Sequence, residues 1–139
     1  MRAKQFLIGK AFKENYRLIL LRMASMVLLA YSAAYWGQLT GATNMDIRFD
    51  TMTVPARATI STLAVLQPVA SLGLWGGWRW GIVLWIVIAA IEFTMYGLYP
   101  QVFGQANLVL LFHVTGLGVY FLALLASFAM NAFKGDETV

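Results

Sequence analysis

The sequence contains no cysteine and only one histidine among its 139 residues. Disulfides, thiolate metal sites and thiol nucleophiles are therefore excluded. One histidine also excludes a multi-histidine metal site within one subunit, and we expect neither a metal nor another cofactor. The phosphate-binding glycine loop, HExxH and GxSxG motifs are missing as well. The sequence therefore predicts a protein that is not an enzyme.

Charge is also scarce: charged residues make up 12% of the chain, and hydrophobic residues make up 60%. Soluble domains are about a quarter charged. A soluble fold of this length has too little interior to bury so much apolar surface. The composition therefore predicts one integral membrane domain over residues 1–139.

Four long apolar segments occupy most of the chain. A helix needs roughly 20 mostly apolar residues to cross the hydrocarbon core, and in lipid it satisfies its own backbone hydrogen bonds. The period-two alternation of a membrane barrel is missing. We predict an all-α, integral membrane four-helix bundle with an N-terminal amphipathic interfacial helix and spans at about 18–39, 58–76, 80–99 and 108–128.

The interfacial helix is predicted over residues 1–16, where apolar residues recur at helical spacing and basic residues occupy another face. Such a helix lies on the membrane surface and is attracted by anionic headgroups. A disordered basic leader is the alternative. Because the basic residues are concentrated here, we do not expect a nucleic-acid partner. The residues predicted to bind the membrane surface are Lys4, Lys10, Lys13 and Arg17.

The orientation follows from counting Lys and Arg on each side of the predicted bundle. Seven of the ten lie in the N-terminal segment, the Arg79 turn and the Lys134 tail, whereas the opposite loops hold only Arg48 and Arg57. Basic loops remain in the cytoplasm. We therefore predict a multi-pass protein of the bacterial inner (plasma) membrane with a cytoplasmic N-terminus and C-terminus.

Two ionisable residues lie deep within the predicted spans. Glu92 follows Trp80 by twelve residues, or about 18 Å of helix, and His113 follows Asn107 by six, or about 9 Å. Both lie at similar distances from the turn between spans three and four, so they should share one depth. Ionisable groups inside a membrane suggest function by default, and imidazole titrates near neutral pH. A proton-responsive site is one interpretation; a structural hydrogen bond between helices is the other.

Other polar residues fall at compatible depths. Gln67 precedes Pro68 in span two, and Tyr35 lies in the outer half of span one. Proline removes a backbone donor and can open a helix locally, either beside a ligand or without one. The predicted intramembrane site therefore comprises Glu92, His113, Gln67 and Tyr35. Arg22, close to the inner end of span one, is expected to snorkel to the headgroups.

These features together resemble an uncharacterised family of four-span bacterial inner-membrane proteins of about this length, filed as a domain of unknown function. The resemblance covers nearly the whole chain from Leu18 to Phe128, and it implies a fold and a location without an activity. The matching residues are Phe49-Asp50, Gln67-Pro68-Val69-Ala70, Gly73-Leu74-Trp75, Trp80-Gly81, Leu84-Trp85, Glu92, Met95-Tyr96, Pro100, Phe103-Gly104 and His113.

The architecture is more distantly similar to DoxX-like four-helix membrane proteins. Small multidrug-resistance transporters also have four spans and a membrane glutamate, but theirs is in the first span, whereas Glu92 is in the third.

The function predicted from these observations is that of a non-enzymatic accessory or scaffold subunit of a membrane complex. Its expected partners are the lipid bilayer and either another membrane protein or a second copy of the chain. The alternative is a homo-oligomeric small transporter or proton-coupled carrier that uses Glu92. A membrane enzyme with a lipid or quinone substrate is a third, weaker possibility.

Overall fold

A computed structural model describes the backbone of residues 2–42 and 49–135 and the side chains of residues 15–42 and 49–129. All regular structure in these residues is helical. A 3-10 helix at Phe49–Thr51 precedes α2, and a π-helix at Thr94–Leu98 continues α3. The α-helices are α1 (Arg2–Thr40), α2 (Val54–Trp75), α3 (Arg79–Phe93), α4 (Pro100–Phe103) and α5 (Asn107–Gly135).

Four segments are long and apolar enough to cross a membrane: Asn15–Thr40, Val54–Trp75, Arg79–Leu98 and Asn107–Ala129. The predicted all-α fold with four such helices is confirmed. The second begins at Val54, four residues before the predicted start, because Pro55 occupies the first turn of α2. Proline suits that position, since its fixed φ is helical and its missing N–H has no intrahelical partner there.

The described part of the predicted leader, residues 2–16, is helical and continues without a break into the first span, because α1 is a single helix of 39 residues. Arg17 is exposed on it, whereas the side chains of Lys4, Lys10 and Lys13 lie outside the described residues. Their attraction to the membrane surface stays a prediction.

Arg22 is exposed, and its guanidinium carbon lies 5.4 Å from the centre of the Trp75 ring, near the end of α2. A cation over an indole face is an attractive arrangement. The snorkelling expected for Arg22 stays a prediction.

A tight turn joins α2 to α3 through Gly77, whose φ of +70° is one that glycine adopts readily. Beyond the turn the two helices approach closely: a Cβ added to Gly73 would lie 2.6 Å from the Cα of Gly81. We call the end of the bundle that contains this turn the Gly77 end. At the opposite end, the Gly104 end, α1 terminates, α2 begins, and a turn through α4 and Gly104 leads to α5.

Packing is uneven among the four spans. In the most apolar 18-residue window of each segment, 33–44% of residues are buried in the first three spans but only 11% in the fourth. The serines Ser25 and Ser71 tie α1 to α2, because each hydroxyl donates to the other residue's backbone carbonyl, over 2.8 and 2.9 Å. Helices α1, α2 and α3 therefore pack closely together, and α5 contacts them through one narrow face.

Candidate functional site

The four residues predicted for the intramembrane site come together around the Glu92 carboxylate. Gln67, Glu92 and His113 have no exposed surface, and Tyr35 is 5% exposed. They come from four different helices: Tyr35 from α1, Gln67 from α2, Glu92 from α3 and His113 from α5. The predicted contact between Glu92 and His113 is present. Its functional role stays a prediction.

The orientation of the His113 ring is set by Trp85. The indole N–H of Trp85 donates to His113 Nδ1 over 3.1 Å. An indole can only donate, so Nδ1 must accept and carries no proton. The proton of the neutral imidazole therefore lies on Nε2, which faces Glu92 Oε2. A doubly protonated His113 would direct a second N–H against that of Trp85.

The other carboxylate oxygen, Glu92 Oε1, accepts two hydrogen bonds. The Tyr35 hydroxyl and the Gln67 amide nitrogen each lie 2.9 Å away. Together with His113, every described polar contact of Glu92 comes from a donor. An ionised carboxylate can only accept, so three surrounding donors fit an ionised Glu92. All three donors are uncharged, so none of them is a cationic partner for the carboxylate.

A second tyrosine extends the network. The hydroxyls of Tyr35 and Tyr96 lie 3.0 Å apart. Because Tyr35 gives its single proton to Glu92, Tyr96 must be the donor in this contact. Tyr96 is only partly buried and lies in the π-helix. A chain of two hydroxyls therefore leads from the partly buried Tyr96 to Glu92.

Two network residues, Trp85 and Tyr96, were not among those predicted for the site. Helical spacing contains the signal, since Trp85 lies seven residues before Glu92 and Tyr96 four residues after it, which places all three near one face. Gly116 supplies the space that Trp85 needs, because a Cβ on Gly116 would lie 2.8 Å from the indole ring. His113 lies one turn before Gly116 on α5, so the same space lets the Trp85 indole reach His113 and donate its hydrogen bond.

One polar atom in the network has no partner. Gln67 Oε1 is buried and makes no hydrogen bond, although the nitrogen of the same amide binds Glu92. A buried unpaired carbonyl costs about 1–3 kcal/mol. A half turn of the Gln67 amide would present this oxygen to Glu92 in place of the nitrogen.

The described residues include no group of three or more His, Asp or Glu side chains that could hold a metal ion. The groups assembled here are suited to holding and moving a proton. Glu92 supplies a carboxylate and His113 an imidazole, and the hydroxyls of Tyr35 and Tyr96 can both donate and accept.

The family model described as "Family of unknown function (DUF6163)" matches residues 16–131. That range includes every residue of the network and nearly all of the four apolar segments. No curated protein matches the chain, and no solved structure matches it. With its Glu92 network and its four spans inside the matched range, the chain belongs to the DUF6163 family of unknown function.

Proposed function

We propose that this integral membrane protein is a non-enzymatic accessory or scaffold subunit that binds another membrane protein through α5. The observation that carries the proposal is the low burial of α5, whose most apolar window is only 11% buried. Among the described side chains of α5, residues 107–129, the buried ones are Val109, His113 and Tyr120, which lie on one face at helical spacing. The opposite face is left to lipid or to a partner.

Gly118 lies near the middle of that opposite face, between the exposed side chains of Leu111, Leu122 and Leu125. A Cβ added to Gly118 would meet nothing within 4 Å. Small residues flanked by larger ones allow transmembrane helices to approach closely. The chain itself does not use this space, which supports its use by a partner helix.

We further propose that the protein resides in the bacterial inner membrane with both termini in the cytoplasm. The asymmetry of Lys and Arg supports this orientation. The continuous α1 would then pass from the cytoplasmic surface through the bilayer, with the leader as its first turns.

Purification in mild detergent tests the partner. The wild-type protein should co-purify with a specific membrane protein, and Gly118→Leu should remove it because leucine fills the contact surface. Ala33→Leu, at an exposed alanine on α1, is the matched control and should retain the partner. Equal recovery with both variants, or no co-purifying protein at all, would contradict the proposal. Recovery of only a second copy of this chain would favour the homo-oligomeric alternative.

A proton-coupled carrier is the second candidate, and the donors around Glu92 favour it. Burying a carboxylate without a cation is costly, so a network that served only packing would be more stable with a neutral side chain. The hydroxyls of Tyr96 and Tyr35 offer that carboxylate a route for protons. As neither tyrosine is charged, the route adds no further charge to the membrane.

Replacement of Glu92 by glutamine tests the carrier. In cells whose own copy is deleted, Glu92→Gln should fail to restore growth or transport while reaching the membrane in normal amounts. His113→Ala, which keeps the carboxylate, separates loss of the proton site from loss of the pair. Full complementation by Glu92→Gln would exclude a carrier that uses this carboxylate.

A further inference from the structure

We propose that the side-chain carbonyl of Gln67 accepts a hydrogen bond from Glu92 when Glu92 has taken up a proton. The Gln67 amide turns by half a turn to make this hydrogen bond. With Glu92 ionised, the amide nitrogen of Gln67 donates to Glu92 Oε1 and the amide oxygen has no partner. With Glu92 protonated on Oε1, a half turn of the amide places its oxygen to accept the new O–H. Each protonation state of Glu92 then has a matching orientation of Gln67.

Trp85 directs the incoming proton to Glu92 rather than to His113. His113 Nδ1 already accepts the indole N–H, and Nε2 already carries the imidazole proton. The imidazole therefore has no free site for a second proton while the indole contact lasts. The carboxylate, by contrast, is surrounded by donors and has no proton of its own.

The hydroxyl chain delivers the proton without changing its own composition. A proton that reaches the Tyr96 oxygen releases the proton Tyr96 carried to Tyr35, and Tyr35 releases its own to Glu92 Oε1. The O–H bonds of both tyrosines break and form once, so each ends with one proton. The carboxylate becomes a carboxylic acid.

Two groups beside Oε1 can accept the acid proton: the Tyr35 oxygen and the Gln67 carbonyl. If the proton remained directed at Tyr35, both tyrosine hydroxyls would stay in the reversed orientation. If Gln67 accepts it, Tyr35 and Tyr96 are free to return to their original orientation and relay again. Gln67 Oε1 is also the buried acceptor with no other hydrogen bond to lose.

The titratable groups around Glu92 are few. Tyr31 and Tyr35 face it from α1, Tyr96 from the π-helix and His113 from α5. From α2 the facing group is Gln67, which does not titrate. None of these residues is a lysine or arginine. Proton uptake at Glu92 therefore neutralises the only full charge in the network, that of the carboxylate.

The inference rests on the second proposed function only in that Glu92 takes up a proton, and it requires no transport. Infrared difference spectra of the full-length protein in liposomes, recorded between high and low pH, report the C=O stretch of protonated carboxyl groups. The chain has six acidic residues, so the band lost in Glu92→Gln identifies that of Glu92. In Gln67→Met, which keeps the length of the side chain, this band should move to higher frequency because only the Tyr35 oxygen, a weaker acceptor than an amide carbonyl, remains for the acid O–H.

Tyr35→Phe tests the competing acceptor: it keeps the ring and removes the hydroxyl, which also donates to Oε1 and belongs to the relay. The band should therefore form more slowly after a change of pH but keep its frequency at equilibrium. Gln67→Leu repeats the test with a second substitution at the same position. Circular dichroism checks that each variant is folded. A band that moves in Tyr35→Phe and not in Gln67→Met would overturn the role of Gln67 alone. A spectrum with no Glu92 band at any pH would overturn proton uptake itself.

Discussion

The indole nitrogen of Trp36 on α1 lies 2.9 Å from the backbone carbonyl oxygen of Ala64 on α2. Ala64 is the residue four positions before Pro68, which has no N–H to donate to that carbonyl. The hydrogen bond that proline removes from α2 is thus replaced by a side chain from α1. The carbonyl that Pro68 leaves without a backbone donor is therefore paired within the chain.

A double-mutant cycle tests this replacement. Trp36→Phe should destabilise the protein by about 1 kcal/mol, the usual size of an interhelical polar contact in membranes. In a Pro68→Ala background the loss should be much smaller, because the alanine N–H can donate to the Ala64 carbonyl. Unfolding in mixed micelles measures both free energies. The same loss in both backgrounds would contradict the compensation.

Alanine substitutions at three glycines should have graded effects. Gly73→Ala should destabilise by about 1–3 kcal/mol, because its Cβ meets the backbone of α3. Gly116→Ala should be less harmful than Gly73→Ala, since its Cβ meets the Trp85 ring and not backbone. Moving the buried ring should still weaken its hydrogen bond to His113. Gly118→Ala should be neutral for the isolated chain, because its Cβ meets nothing. Thermal unfolding in detergent gives the order, and a harmful Gly118→Ala would contradict it.

The Glu92–His113 pair should be energetically coupled. Glu92→Leu should destabilise strongly, since it leaves the donors of Tyr35, Gln67 and His113 unpaired in an apolar interior. Glu92→Gln should be mild, because its carbonyl still accepts from His113 and a turned Gln67 amide can accept from its nitrogen. In a cycle with His113→Ala, the losses from Glu92→Leu and His113→Ala should be non-additive by at least about 0.5 kcal/mol. Additive losses would show that the contact is not an energetic unit.

Reporter fusions test the proposed orientation. A fusion after Lys134 should report cytoplasm, and a fusion between Thr40 and Arg57 should report periplasm, because the side rich in Lys and Arg is retained. A C-terminus in the periplasm would mean that the orientation or the number of spans is wrong. Moving basic residues from the leader into residues 41–53 should weaken or reverse the preference.

A peptide of residues 1–16 tests the leader. It should gain helicity on anionic vesicles and lose it as salt rises, because screening reduces the attraction of basic residues to the headgroups. Circular dichroism with neutral vesicles at matched lipid concentration is the control. Equal helicity on both kinds of vesicle would remove the electrostatic part of the prediction.

The depth of the buried pair followed from the sequence. The lengths of the apolar runs set the four spans, since the bilayer imposes a common length on them. Helical rise then placed Glu92 and His113 at similar distances from the turn between their helices. Tyr35 and Gln67 could be assigned to compatible depths by the same reasoning.

The tertiary structure decided which of these side chains meet and in what chemical roles. Depth says nothing about the rotation of a helix around its axis, which depends on close contacts between helices such as Gly73 with Gly81 and Gly116 with Trp85. Those contacts turn Glu92 and His113 toward each other, and Trp85 then selects the protonated nitrogen of the imidazole. The donors around Glu92 come from three other helices, and the unpaired carbonyl of Gln67 belongs to one of them, so spacing along any one helix could not reveal them.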